Sequence, residues 1–225
     1  MTLEVSSAVQ DYAKAIYSLE QRRDGGAVST NALAERLGVS AASASSMVKR
    51  LDGLGLVEHV PYKGVALTQR GVKVALEVLR HHRLLERFLA EELGVPWDRV
   101  HDEAEVLEHV LSEELEELIA AKLGHPTIDP HGDPIPTAEL EIVEPITVGM
   151  DGLDVGDHGL FVRVSDSDPE MLRYLGARGI APGATFEIVD KQPFGGPIFA
   201  RFGDATAVHP LGGRLAAAMR VEVGA

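Results

Sequence analysis

Two histidines and four carboxylates fall within the nine residues His101-Asp102-Glu103-Ala104-Glu105-Val106-Leu107-Glu108-His109. At roughly 100° per residue, a helix over this stretch turns His101, Glu105, Glu108 and His109 to one side. Ala104, Leu107, Val110 and Leu111 fall on the other flank and give the helix something to bury. Carboxylate oxygens and imidazole nitrogens stacked on one face are donors for a hard or borderline divalent cation. His82 and Glu86, four residues apart in the preceding helical pattern, share a face at a spacing suited to chelation.

Those donors need packed elements to hold them. Val9, Tyr12, Ile16 and Leu19 form one stripe of a first helix over residues 6–22, with Asp11 and Lys14 beside it, and Asp24-Gly25-Gly26 reads as the turn that ends it. The run from Val28 to Leu51 reads as helix, turn, helix. Ser29 or Thr30 caps the first helix, Gly38 makes the turn and Ser40 caps the second. Val39, Ala44, Val48 and Leu51 are expected to face inward. Ser40, Ala42, Ser43, Ser45 and Ser46 then face outward, small enough to approach base edges, with Lys49 and Arg50 nearer phosphates. Gly55 to Thr68 reads as strand, turn, strand, with Lys63 at its tip, which completes a winged helix-turn-helix.

A long helix from Thr68 to about Glu92 carries His82 and Glu86. After the turn at Gly94-Val95-Pro96-Trp97-Asp98, where Trp97 is expected to anchor in the core, the donor-rich helix runs from about Asp98 to Glu117. A short helix then ends near Gly124. Helices joined this closely pack antiparallel, and their uncovered apolar residues are candidates for a two-fold interface. Residues 124–150 hold five prolines and little periodicity, so they read as a linker in which His125 and His131 face solvent. Five short strands follow, at 159–164, 184–189, 197–202, 205–208 and 219–223, interrupted by a helix at 169–179; together they suggest a small β-barrel. Asp166, Asp168 and Glu170 cluster at the start of that helix. Capping is the ordinary use of acidic residues there, with metal contact the alternative.

The resulting fold class is α+β, in three parts: 1–75 a winged helix-turn-helix DNA-binding domain, 76–140 a helical dimerisation and metal-binding domain, 141–225 a linker and a small β-barrel. Charge divides along the same lines. Although the net charge is −14, residues 1–75 carry nine basic against seven acidic side chains, whereas 76–140 carry five against sixteen. Polyanion binding and cation binding are therefore expected in different parts of the chain. With no cysteine, thiolate sites and disulfides are excluded, and any metal is held by nitrogen and oxygen. No signal-like segment opens the sequence and no run of 18 apolar residues interrupts it, so a cytoplasmic protein without a membrane partner is expected.

The runs Arg80-His81-His82-Arg83-Leu84-Leu85-Glu86-Arg87-Phe88-Leu89 and Val100-His101-Asp102-Glu103-Ala104-Glu105-Val106-Leu107-Glu108-His109 closely resemble the ligand motifs of the diphtheria-toxin-repressor (DtxR) family of metal-dependent transcriptional regulators. The resemblance extends over essentially the whole chain and implies a third domain that is SH3-like, or FeoA-like. It also implies a primary metal site at Asp11, Glu105, Glu108 and His109, and an ancillary site at His82, Glu86 and His101. In iron-type members the barrel adds ligands from a position resembling Asp168, with Met171 where a glutamine is expected. The iron-sensing branch has methionine and cysteine where this chain has Asp11 and Glu105; the manganese-sensing, MntR-like branch has Asp and Glu. Mn(II) is thus the expected ion, with Fe(II) the alternative and Co(II) or Zn(II) able to substitute in vitro. Lys14 stands where well-studied manganese sensors have Glu, which argues against a closely spaced two-metal cluster.

The implied protein is a repressor that binds palindromic, double-stranded operator DNA as a homodimer and controls metal-homeostasis genes, with no organic cofactor and no enzyme activity. A metal-dependent hydrolase is the competing class, because carboxylates and histidines also build two-metal catalytic sites. It would need an open coordination position and a separate general base, and it would leave the winged helix unexplained.

Overall fold

The computed structural model describes residues 5–21, 26–60 and 62–224. Asp24 and Gly25 of the first expected turn, and Pro61 of the hairpin, lie outside them. The chain divides into two compact units: Met1–His82 with Leu107–Ser112 and Pro136–Glu141, and Arg83–Val106 with Glu113–Ile135 and Ile142–Ala225.

The first unit opens with α1 (Ser7–Gln21), α2 (Thr30–Leu37) and α3 (Ala41–Gly53), followed by the antiparallel hairpin of β1 (Val57–Val60) and β2 (Gly64–Leu67). Local chemistry sets the boundaries. Ala32 N donates to the Ser29 hydroxyl at the start of α2, Gly38 closes that helix in the left-handed region at φ 64°, and Ser43 N donates to the Ser40 hydroxyl at the start of α3. Val9, Ile16, Leu33, Ala44, Val48, Leu51 and Leu56 are buried, but Val39 is exposed. It follows the Gly38 turn, one residue outside the inward stripe of α3. The wing folds back on the chain before α2, with Val28 bridging Val65. At Gly64 a side chain would stand 2.0 Å from the Val28 carbonyl oxygen, so only glycine permits this approach. Leu67 N donates to the Glu20 carboxylate at 2.9 Å, fixing the wing to α1.

The helix α4 (Gln69–Glu91) carries His81 and His82 in the first unit, and Arg83 and Glu86 in the second. Also in the second unit are α5 (Val100–Leu107) and α6 (Glu113–Lys122). The donor-rich helix therefore ends ten residues earlier than the expected Glu117. The backbone between the two helices has other partners: the Glu108 carbonyl meets His81 Nδ1 at 3.1 Å, and Ser112 stands at the position of an α6 cap before three glutamates of its first turn. Tertiary hydrogen bonding overrides a sequence that is otherwise helix-forming.

Six strands make one open antiparallel sheet in the order β3-β8-β4-β5-β6-β7. They are β3 (Val148–Gly149), β4 (His158–Val164), β5 (Thr185–Lys191), β6 (Ile198–Phe202), β7 (Val208–Leu211) and β8 (Met219–Val223), with α7 (Pro169–Gly176) and α8 (Gly213–Ala218) between them. Bulges after Phe161 and Ile188 curl the sheet around a core of Met150, Phe161, Leu172, Leu175, Ile188 and Leu211. Trp97 packs against that core, as expected, and a side chain at Gly176 would crowd its Nε1 at 3.0 Å.

The supposed linker is partly folded. Ile128 bridges Pro134, and Gly132 N and Asp133 N turn back on Asp129, which accepts from them through its carbonyl and carboxylate respectively. Val164 N of β4 donates to the His131 carbonyl at 2.9 Å, and Gly132, at φ 89°, approaches the Val162 carbonyl too closely for any side chain. Arg163 binds both Asp133 and Glu144. Residues 128–134 are thus a folded loop held to β4.

Candidate metal centre

In the first unit, α1 presents Asp11 toward the turn that follows α5. Asp11 Oδ1 lies 2.8 Å from His109 Nε2, and that nitrogen is 3.5 Å from Glu108 Oε1. The other ring nitrogen of His109 meets Gln10 Oε1 at 2.8 Å, so Gln10, the neighbour of Asp11, orients the imidazole. Ligand atoms of Asp11, Glu108 and His109 lie within 4.8 Å of one another. Glu108 has a fully buried side chain whose Oε1 accepts from Lys14 Nζ at 2.6 Å, while Oε2 makes a short contact with His82 Nδ1. Burial pushes the Glu108 carboxyl up, but the His82 and Lys14 contacts outweigh it and hold it below its ordinary value. The group is thus a buried carboxylate, ready to ligate.

In the second unit, Glu86 is the hub. Its Oε1 lies 3.4 Å from His101 Nδ1, which is itself 2.9 Å from Asp166 Oδ2. Its Oε2 faces His131 Nδ1 at 3.6 Å, and ligand atoms of Glu86, Asp129 and His131 lie within 4.8 Å of one another. All three of these residues are buried. His131 Nε2 donates to the Trp97 carbonyl at 2.8 Å, and the two rings stack with centroids 5.9 Å apart. In the charged ring that bond leaves the Nδ1 proton facing Glu86 Oε2, and release of that proton would put the Nδ1 lone pair in the same cluster. Asp166, then Glu86, push His101 up to about 10 against the opposing effect of burial. Burial also opposes a charge on His131, but Glu86 and Asp129 prevail and raise it to about 9. Asp129 is pushed well above the usual carboxylate range by burial and by the neighbouring Glu86.

Both clusters fit a divalent cation. Each concentrates oxygen and imidazole donors around at least one buried carboxylate, and in the second the Glu86 carboxylate faces two imidazoles.

Three stretches of the chain match family patterns. Residues 4–65 match that described as "Iron dependent repressor, N-terminal DNA binding domain", 68–137 "Iron dependent repressor, metal binding and dimerisation domain", and 148–223 "FeoA domain". The diphtheria toxin repressor of Corynebacterium efficiens is 34% identical over 194 residues, covering 80% of this chain and 82% of that protein. The chain belongs to the diphtheria-toxin-repressor family. The iron-dependent repressor IdeR of Mycobacterium tuberculosis is 38% identical over 133 residues, 59% of this chain and 57% of its own length, so the chain spans little more than half of that relative. A solved structure described as a manganese-dependent transcriptional repressor in complex with manganese superimposes with a TM-score of 0.87 at 44% identity, covering 96% of this chain and 99% of the other.

Within this DtxR-family chain the sequence-derived residues are placed as follows. Asp11, Glu108 and His109 converge in the first unit, with His82 on Glu108; Glu86 and His101 converge in the second. Glu105 stays on α5, one turn after His101, with its carboxylate 3.8 Å from His101 Nε2. Asp168 is not in either cluster. Its carboxylate accepts from Glu170 N at the start of α7 and pairs with Arg214, a capping geometry that turns it away, while Met171 packs on the barrel core. Asp166, two residues earlier, is the one that reaches His101. His131 was expected in solvent but is 1% exposed. Asp129 and His131 were missed because prolines hid the loop; the run Asp129-Pro130-His131-Gly132-Asp133, with a turn-forming Asp at each end and Gly inside, was the available signal.

Proposed function

We propose that this protein is a manganese-responsive transcriptional repressor that binds palindromic operator DNA as a homodimer and controls metal-homeostasis genes in the cytoplasm. The observation that carries this reading is the convergence of Asp11, Glu108 and His109. Asp11 belongs to α1, which packs on α2, α3 and β2, the elements of the winged helix-turn-helix. A divalent cation bound at this centre supplies the positive charge that lets two carboxylates and an imidazole share one point. Asp11 then ties α1 to the turn after α5, and Gln10 keeps the His109 ring aimed at the same place. A donor set free of sulfur weakens the preference for softer metals, and selectivity for manganese over the later divalent ions then rests on coordination geometry. Glu86, His101, Asp166, Asp129 and His131 offer a second, supporting site.

On α3, Ser40, Ala42, Ser43, Ser45, Ser46, Lys49 and Arg50 are exposed, as is Lys63 on the wing. Ser40 and Ser43 hydroxyls pair with each other at 2.9 Å as part of the cap, which leaves Ala42, Ser45 and Ser46 as the better candidates for base contact. Leu115 and Leu118, three apart on α6 and 49% and 60% exposed, suit a dimer interface. Among the described residues no helix is long and apolar enough to cross a membrane.

The direct test is an anaerobic titration of DNA binding with Mn²⁺, Fe²⁺, Co²⁺ and Zn²⁺, using duplexes selected by this protein from a random library. Half-maximal binding is expected at a Mn²⁺ concentration about tenfold below that of Fe²⁺, a coupling difference of ordinary size. Activation by Fe²⁺ alone would assign the protein to iron, the metal named in its mycobacterial relatives. In the same assay Lys49→Ala should weaken binding to every sequence and lower the slope of log K against log salt by about 0.9, one phosphate contact. A change confined to operator preference would instead make Lys49 a base-reading residue.

A further inference from the structure

Among the described residues, Lys14 is the lysine bonded directly to the first metal centre. It sits three residues after Asp11 on α1, so the two side chains share a face and reach the same turn. Its ammonium lies 2.6 Å from Glu108 Oε1, and this is the oxygen that faces His109 Nε2 at 3.5 Å. Oε2 is engaged by His82. The carboxylate therefore has a partner on each oxygen, and the partner on the donor side is a lysine ammonium. A buried carboxylate left without a counter-charge is strongly destabilising. Here the side chain of Glu108 is fully buried and that of Lys14 only 14% exposed.

We infer that Lys14 is a resident counter-cation that occupies the metal-facing oxygen of Glu108 and must yield it when a divalent ion enters, so that this one residue sets the affinity threshold of the centre. The inference rests on the assignment of Asp11, Glu108 and His109 as a metal site. An ammonium and a divalent cation cannot share the same lone pairs at bonding distance, and they repel each other across a poorly solvated space. Lys14 thus does two things. It keeps Glu108 charged and in place before loading, and it opposes loading until the ion concentration is high enough to displace it. The loaded centre gains nothing from Lys14.

Two measurements on the full-length chain test this. Calorimetric titration with Mn²⁺ resolves the binding steps, and the step lost in Asp11→Ala belongs to this centre. In Lys14→Met that step should tighten by about tenfold, or about 1.4 kcal/mol. The thermal midpoint of the metal-free variant should fall while that of the loaded variant matches wild type. Unchanged or weaker binding in this step, or equal destabilisation of both forms, would overturn the inference and leave Lys14 a structural ion pair. The second measurement uses the wild type, so it does not depend on a variant folding. Acetylation of Lys14 by an N-hydroxysuccinimide ester, followed by peptide mass spectrometry, should accelerate severalfold when metal is bound because the ammonium is released; slower labelling would refute displacement. Both comparisons can be read with Zn²⁺ if Mn²⁺ does not bind, so a wrong metal and a wrong role for Lys14 give different results.

Discussion

Asp11→Ala is expected to abolish metal-stimulated DNA binding while leaving the protein folded and dimeric. The stability side follows from exposure. Asp11 is 39% exposed and its pairing with His109 is partly screened, so its loss costs at most about 1 kcal/mol. His109 also keeps its contact with Gln10. The functional side follows from where Asp11 stands. It is the carboxylate that α1 adds to Glu108 and His109, and without it an ion at this centre would have no ligand on α1. A ligand shifts an equilibrium only by its difference in affinity for the two states, and couplings of this kind run from about 1 to 3 kcal/mol, or about 5- to 150-fold in DNA affinity. Fluorescence anisotropy of a labelled duplex, with and without Mn²⁺, measures that factor, and sedimentation measures the dimer. Activation that survives in Asp11→Ala would mean that the bridge from α1 does not carry the signal.

Most of the reading head was legible because its signals are local. Ser29, Gly38 and Ser40 act within one turn of where they stand, and the spacing of Ala44, Val48 and Leu51 is that of a single buried stripe. The strands of the barrel were found for the same reason, since Phe186-Glu187-Ile188 alternates buried and exposed as its sequence does. The short helix α8 was not anticipated. The seventh strand was placed three residues early because it contains Pro210, which the edge position of β7 tolerates but a strand pattern penalises.

The misplaced features of the site depend on partners distant in sequence. Nothing near Glu108 ends a helix; its carbonyl and carboxylate are claimed by His81, His82 and Lys14 from other helices. Nothing near His131 buries it; a β4 amide, Trp97 and Glu86 do so together. The exchange of Asp168 for Asp166 has the same origin. Both residues precede α7, and only the fold decides which one caps the helix and which one meets His101. Residue type marked the candidate donors, but their grouping is a property of tertiary structure.

The second site offers the sharpest measurement, because the chain has one tryptophan and it stacks on a proposed ligand. Paramagnetic Mn²⁺ held by Glu86 and His131 should quench Trp97 fluorescence, and Asp11→Ala should leave that quenching intact. In His131→Gln it should require about 10- to 100-fold more Mn²⁺, the range found when a metal loses a supporting group. Glutamine roughly preserves volume and can still donate to the Trp97 carbonyl, which limits the cost of changing a buried side chain. The pH dependence has a definite sign. His101 and His131, raised to about 10 and about 9, carry protons at neutral pH in the metal-free protein, and an imidazole must release its proton to ligate. Affinity at this site should therefore rise between pH 7 and 8, by about tenfold if one proton leaves and about a hundredfold if both do. A quenching curve indifferent to pH would show that neither imidazole binds the ion, and no quenching at all would leave the cluster around Glu86 a buried ion-pair network without metal.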